Sequence, residues 1–86
     1  MFVPDVNVQM YGTTWCPDCA RARQVLSKHN IVYDFHDIEA NKDALAYVEK
    51  VNRGMRSVPV IVFPNGTTLV EPTNYELESR IREMTD

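Results

Sequence analysis

The chain has 86 residues, 44% of them hydrophobic and 24% charged, with two cysteines, three glycines and a net charge of −3. That balance describes one small folded domain and excludes a disordered chain. A pI near 5.3 without any basic block argues against nucleic acid and anionic membrane as partners, and the longest apolar run, Val58 to Phe63, is too short to span a bilayer.

The amino-terminal Met1-Phe2-Val3-Pro4-Asp5 lacks the charged region and apolar stretch of a signal peptide, so a reducing cytoplasm is the expected location. Val6, Val8 and Met10 then alternate with Asn7, Gln9 and Tyr11, which predicts a strand, and Gly12-Thr13-Thr14 interrupts it. From Pro17 the spacing turns helical. Cys19, Ala22, Val25, Leu26 and His29 recur at intervals of three and four, Arg21 and Arg23 fall on a solvated face, and Pro17 suits a first helical turn that needs no N–H. His29 reads as a helix-end histidine near the last carbonyls.

Ile31 to Asp37 reads as a second strand. Asn41 can cap a second helix with Ala44, Leu45, Tyr47, Val48 and Val51 on its apolar face and Gly54 as its stop. Strand, helix, strand in this order implies a parallel pair joined by a right-handed crossover. Ser57 to Phe63 has the near-continuous apolar character of a strand covered on both faces, with Pro59 marking its start. Pro64-Asn65-Gly66-Thr67 signals a tight hairpin, and Thr68-Leu69-Val70 supplies the returning strand. Thr73 and Glu76 have the spacing of a capping box for a last helix with Leu77, Ile81 and Met84 inward. The expectation is one α/β domain over residues 1–86, ordered βαβαββα, with a four-stranded mixed sheet flanked by three helices in a thioredoxin-like arrangement.

Cys16 and Cys19, two residues apart between the first strand and the first helix, are the only cysteines. Their bridge would close too short a loop to be a useful staple, so their reactivity explains them better than stability does. Cys16 falls at the helix tip, where free backbone N–H groups favour a thiolate, and Asp18 partly opposes that effect. Cys16 is thus the expected nucleophile, presented to solvent, and Cys19 the half-buried resolving thiol. Trp15 beside them reads equally well as a ledge for substrate or as a core residue. Zinc would need two more soft ligands, which His29 and His36 do not supply as a cluster, so no metal is expected. A purely structural pair of buried free cysteines fits the helix-tip placement poorly.

Tyr11-Gly12-Thr13-Thr14-Trp15-Cys16-Pro17-Asp18-Cys19 and Arg56-Ser57-Val58-Pro59, with the strand that follows, resemble the glutaredoxins over nearly the whole chain. Thr13-Thr14-Trp15-Cys16, Val51-Asn52-Arg53-Gly54 and Asn65-Gly66-Thr67-Thr68-Leu69 look most like the mycoredoxin branch, which works with mycothiol. The resemblance implies a cis Val58–Pro59 bond with the Val58 backbone facing the cysteines, and an Arg56 that contacts a carboxylate of the bound thiol. The expected thiol- and substrate-binding surface also includes Trp15 and Pro17, with Thr73-Asn74 approaching from another side. Where glutathione-binding members have Gly-Gly, a small residue and Asp, this chain has Glu71-Pro72-Thr73-Asn74. The added negative charge leans away from glutathione and toward mycothiol or another bacterial thiol.

The expected activity is therefore that of a monomeric thiol–disulfide oxidoreductase. Through Cys16 it would reduce mixed disulfides between proteins and a low-molecular-weight thiol, which serves as co-substrate with no bound cofactor. One alternative is a dithiol, thioredoxin-like electron donor reduced by a flavoprotein reductase. Another, of a different class, is a non-catalytic binding module, with or without an iron–sulfur cluster shared between two chains.

Overall fold

The computed structural model describes residues 7–85; the expectations placed on Met1 to Val6 lie outside them. The elements follow in the order β1 (Val8–Gly12), α1 (Pro17–Lys28), β2 (Tyr33–Asp37), α2 (Lys42–Val51), β3 (Val60–Val62), β4 (Thr68–Val70) and α3 (Asn74–Thr85). They form a four-stranded sheet ordered β2-β1-β3-β4. β1 pairs in parallel with β2, Gly12 lying opposite Asp37, and antiparallel with β3, Tyr11 lying opposite Val60. The thioredoxin-like architecture is the one expected.

The alternation along β1 divides the core. Val8 and Met10 turn to one face, where Ile61 and Phe63 meet Ala22, Val25 and Leu26 of α1 and Leu77 and Ile81 of α3. Each such fully buried side chain contributes about 1.5–3 kcal/mol relative to exposure. On the opposite face Val60 and Ile38 pack with Ala44 and Val48 of α2, and Tyr11 stacks at 4.7 Å on Tyr47.

Several boundaries move for local reasons. β2 begins at Tyr33 rather than Ile31, because Asn30 turns into positive φ and the Ile31 N–H bonds back to the Leu26 carbonyl at 2.9 Å. Val32 is left exposed. α2 ends at Val51, with Gly54 beyond it in left-handed backbone, its N–H donating to the Glu49 carbonyl at 2.6 Å. In the β3–β4 connection Gly66 adopts a positive φ of 92°, whereas Asn65 uses its side chain to accept from the Thr67 N–H at 2.9 Å. Both arms of the capping box form: Thr73 N–H donates to Glu76 Oε1 at 2.8 Å and Glu76 N–H to Thr73 Oγ1 at 3.1 Å. Met84, expected inward, is exposed one turn beyond the buried Ile81.

The consequence for function lies at one edge of the sheet. The C-terminal ends of β1 and β2 and the start of β3 converge there, since β3 runs against the other two. Continuing the β1–β3 register by two residues brings Thr13 opposite Val58, and the Ile38 N–H reaches the Gly12 carbonyl at 3.0 Å.

Candidate functional site

Cys16 is the N-cap of α1, with φ −78° and ψ 121°, and Pro17 opens the helix. The Cys16 carbonyl takes the first helical bond from the Ala20 N–H at 3.0 Å, while Cys16 Sγ accepts from the Cys19 N–H at 3.4 Å. The sulfur thus does what the oxygen of a capping serine does, meeting an N–H that the helix leaves unpaired. The thiolate is the form of such a sulfur that attacks disulfides. Asp18, expected to oppose that charge, is ion-paired with Arg21 at 3.2 Å. Arg23 is not the solvated residue expected: its Nε–H donates to the Tyr33 hydroxyl at 3.2 Å and its guanidinium lies 4.5 Å from the Phe35 ring centroid.

Both cysteines are free thiols and lie deeper than expected: Cys19 is fully buried and Cys16 partly so, packed against the same core cluster. Gly12 makes this depth possible. A Cβ at position 12 would stand 2.5 Å from Cys19 Sγ, so the sulfur occupies the space a side chain would take. Burial pushes the Cys19 thiol from 9.0 up to about 12, with the hydrogen bond and charge of Cys16 adding to the rise and a hydrogen bond from the Thr13 backbone opposing it.

The folded chain therefore favours neutral Cys19. Stability from this source is complete below the ordinary thiol value and is lost as pH rises from 9.0 toward about 12. An alkylating agent at neutral pH is expected to modify Cys16 and spare Cys19, with Cys19 labelling appearing only in strongly alkaline solution. Peptide mapping across a pH series checks this, and equal labelling at neutral pH would contradict it.

Trp15 is 68% exposed, which rules out the core reading, and its indole N–H donates to Glu39 Oε1 at 3.0 Å. It forms part of a groove of about 500 Å³ lined by Thr13, Trp15, Ile38, Glu39, Leu45, Arg56 and Val58. The Val58–Pro59 peptide bond is cis. The Val58 amide and carbonyl make no backbone hydrogen bond among the described residues, whereas the Pro59 carbonyl accepts from the Glu71 N–H at 2.8 Å. Arg56 reaches the groove with its charge answered by Glu49 at 3.0 Å.

The groove therefore gathers Trp15, Arg56 and Val58, with Pro59 directly behind Val58 and Cys16 and Pro17 following Trp15. Thr73 and Asn74 do not line it. The Thr73 hydroxyl caps α3, and Asn74 lines a separate depression with Arg21, Val25, Lys28 and Glu78. His29 is at the α1 C-cap, and its partner is a carboxylate rather than the helix carbonyls alone: Nε2 lies 3.2 Å from Glu78 Oε2. His29 and Lys28 together hold the Glu78 carboxyl below its usual range. Among the described residues no group of three or more His, Cys, Asp or Glu side chains could hold a metal.

Three residues of the site escaped the sequence reading. Gly12 and Thr13 registered only as a break after a strand and as members of the cysteine motif, and Glu39 not at all. Nothing local to Glu39 signals that the crossover will bring it to Trp15.

A paired-cysteine helix tip at this edge of a thioredoxin-like sheet defines a thiol–disulfide oxidoreductase. The family model for glutaredoxin matches residues 8–68. A glutaredoxin-type protein of Mycobacterium tuberculosis is 39% identical over 72 residues, which cover 84% of this chain and 86% of the relative. Mycoredoxin 1 of Corynebacterium glutamicum is 32% identical over 78 residues, covering 91% and 96% respectively. Among solved structures, a glutaredoxin from Archaeoglobus fulgidus matches with a TM-score of 0.73 at 26% identity, over 92% of this chain and 89% of that one. The glutaredoxin-like NrdH-redoxin of Escherichia coli shares the fold, with a TM-score of 0.69 at 11% identity over 86% and 93%. The chain belongs to the glutaredoxin family.

Proposed function

We propose that this oxidoreductase reduces mixed disulfides between proteins and a low-molecular-weight thiol, with mycothiol as that thiol, and that it acts as a single-domain monomer in a reducing compartment. The Cys16 thiolate attacks the small-thiol sulfur of the mixed disulfide. A Cys16–small thiol disulfide forms, and the protein leaves as a thiolate that takes a proton from water. A second small thiol, as its thiolate, then attacks the adduct, leaving with the first as a symmetrical disulfide and restoring the Cys16 thiolate. Arg56 and the Val58 backbone hold the thiol half, with Pro17 beside Cys16, while Trp15 faces the other half of the substrate across the groove; Thr73 and Asn74 act only through the placement of α3.

The observation that carries this reading is the inequality of the two sulfurs. Cys16 is partly exposed and met by a helix N–H, whereas Cys19 is buried with its thiol pushed up to about 12. A buried neutral thiol is a poor attacking group, which favours resolution by a second small thiol over closure onto Cys19. The choice of mycothiol is supported by the likeness to Mycoredoxin 1 and by an Arg56 already ion-paired with Glu49, which leaves little positive charge for the carboxylates of glutathione.

The test supplies one protein mixed disulfide with glutathione, with mycothiol, or with a thioredoxin reductase and its reductant. Turnover is expected to be fastest with mycothiol. Equal or faster turnover with the flavoprotein reductase alone would replace this reading with the dithiol electron donor.

A further inference from the structure

The groove beside Cys16 has two unlike banks. The strand order β2-β1-β3 puts the residues that follow β2, Ile38 and Glu39, on one side of the β1 tip and those that precede β3, Arg56 and Val58, on the other. On the β3 bank the one cation lining the groove among the described residues, Arg56, is ion-paired with Glu49. On the β2 bank the Glu39 carboxylate meets a neutral indole N–H and, among the described residues, no cation, and Asp37 stands next to it, accepting the Glu39 backbone N–H at 2.9 Å. Two carboxylates thus stand beside the exposed Trp15. Between the banks lies Thr13, 4% exposed, its Oγ1 buried without a hydrogen-bond partner. A buried hydroxyl left unpaired is costly and is normally satisfied.

We infer that the β2 bank receives the protein half of the mixed disulfide and selects a segment with a lysine or arginine beside the target cysteine. Its cation lies over the Trp15 ring and against the Glu39 carboxylate. Cation–π attraction and charge complementarity act together here, and the hydrogen bond from the indole to Glu39 fixes the ring that receives the cation. Glu39 is thus a specificity-determining residue for the proposed reaction. The inference rests on the mixed-disulfide reading, since it assigns the two halves of that substrate to the two banks.

The test uses short peptides with one cysteine blocked as the mycothiol mixed disulfide, the residues beside it being Arg, Ala or Glu. At low ionic strength kcat/KM is expected to fall from Arg through Ala to Glu, with about tenfold between the extremes, and the spread is expected to shrink at high salt. Glu39→Gln, which keeps an acceptor for the indole N–H, is expected to flatten the ranking. Equal rates for the three peptides, or a ranking unchanged in Glu39→Gln, would overturn the inference.

A binding arm keeps the two proposals separate. Trp15 is the sole tryptophan, so its fluorescence reports this bank when peptides with serine in place of cysteine are titrated in. Tighter binding of the Arg peptide without turnover of any blocked peptide defeats the mixed-disulfide reading and keeps only the preference of the β2 bank for a cation. Turnover of the Ala peptide without any preference in either arm does the reverse.

Discussion

Cys16→Ser is expected to lower reduction of a protein–thiol mixed disulfide by roughly a thousandfold or more, whereas Cys19→Ser keeps the rate within about tenfold of the parent. The asymmetry follows from position. Serine at 16 would still cap α1, because its oxygen can accept the N–H that Cys16 Sγ accepts at 3.4 Å. Folding survives and only the nucleophile is lost. Serine at 19 trades a fully buried thiol for a hydroxyl in a core cluster, so it costs stability, but it leaves the tip of the helix and the attack by Cys16 intact. Initial rates with saturating small thiol, compared at a temperature where both variants are folded, measure the difference. Equal losses would mean that Cys19 closes the cycle.

The second large effect is one of stability. Gly12→Ala is expected to destabilise the fold by about 1–3 kcal/mol, the usual range for overpacking a filled interior. For a domain of this size that corresponds to a fall of about 5–20 °C in Tm. The new Cβ would meet Cys19 Sγ at 2.5 Å and Cys19 Cβ at 3.3 Å, and neither can retreat, since Cys19 is on a packed helix and Gly12 is in a paired strand. Combining it with Cys19→Ala removes the closer contact and should recover most of the loss relative to Cys19→Ala alone. Thermal denaturation of the four proteins gives the coupling directly, and additive losses would show that the contact is not the cause.

The fold was legible because its signals were local. Thr73 and Glu76 form the capping box their spacing implies, Thr68–Val70 is the strand expected, and the run before Phe63 is buried at Val60 and Ile61. Where readings slipped, a backbone event outweighed the pattern. Asn30 closes α1 and holds Ile31 to the helix end, so the apolar Ile31-Val32 pair joins no strand despite its composition. At the site, Cys16 at the helix tip could be read from the placement of Cys16 and Pro17 alone. Its neighbours could not. Glu39 reaches Trp15, and Gly12 yields to Cys19, only through the crossover and the register of three strands. The surface expected around Thr73-Asn74 illustrates the same limit: the cap was readable, but not which side of α1 it would face.

The bond from the Glu71 N–H to the Pro59 carbonyl ties the groove's β3 bank to the end of β4, a three-residue strand at the sheet's outer edge. The cysteine loop instead leaves β1, which is paired on both sides. Edge elements open at a lower free-energy cost than central ones. The proposed thiol grip is thus fastened in part through a short edge strand and the attacking sulfur through the centre of the sheet, so promiscuity of grip need not blur the geometry of attack.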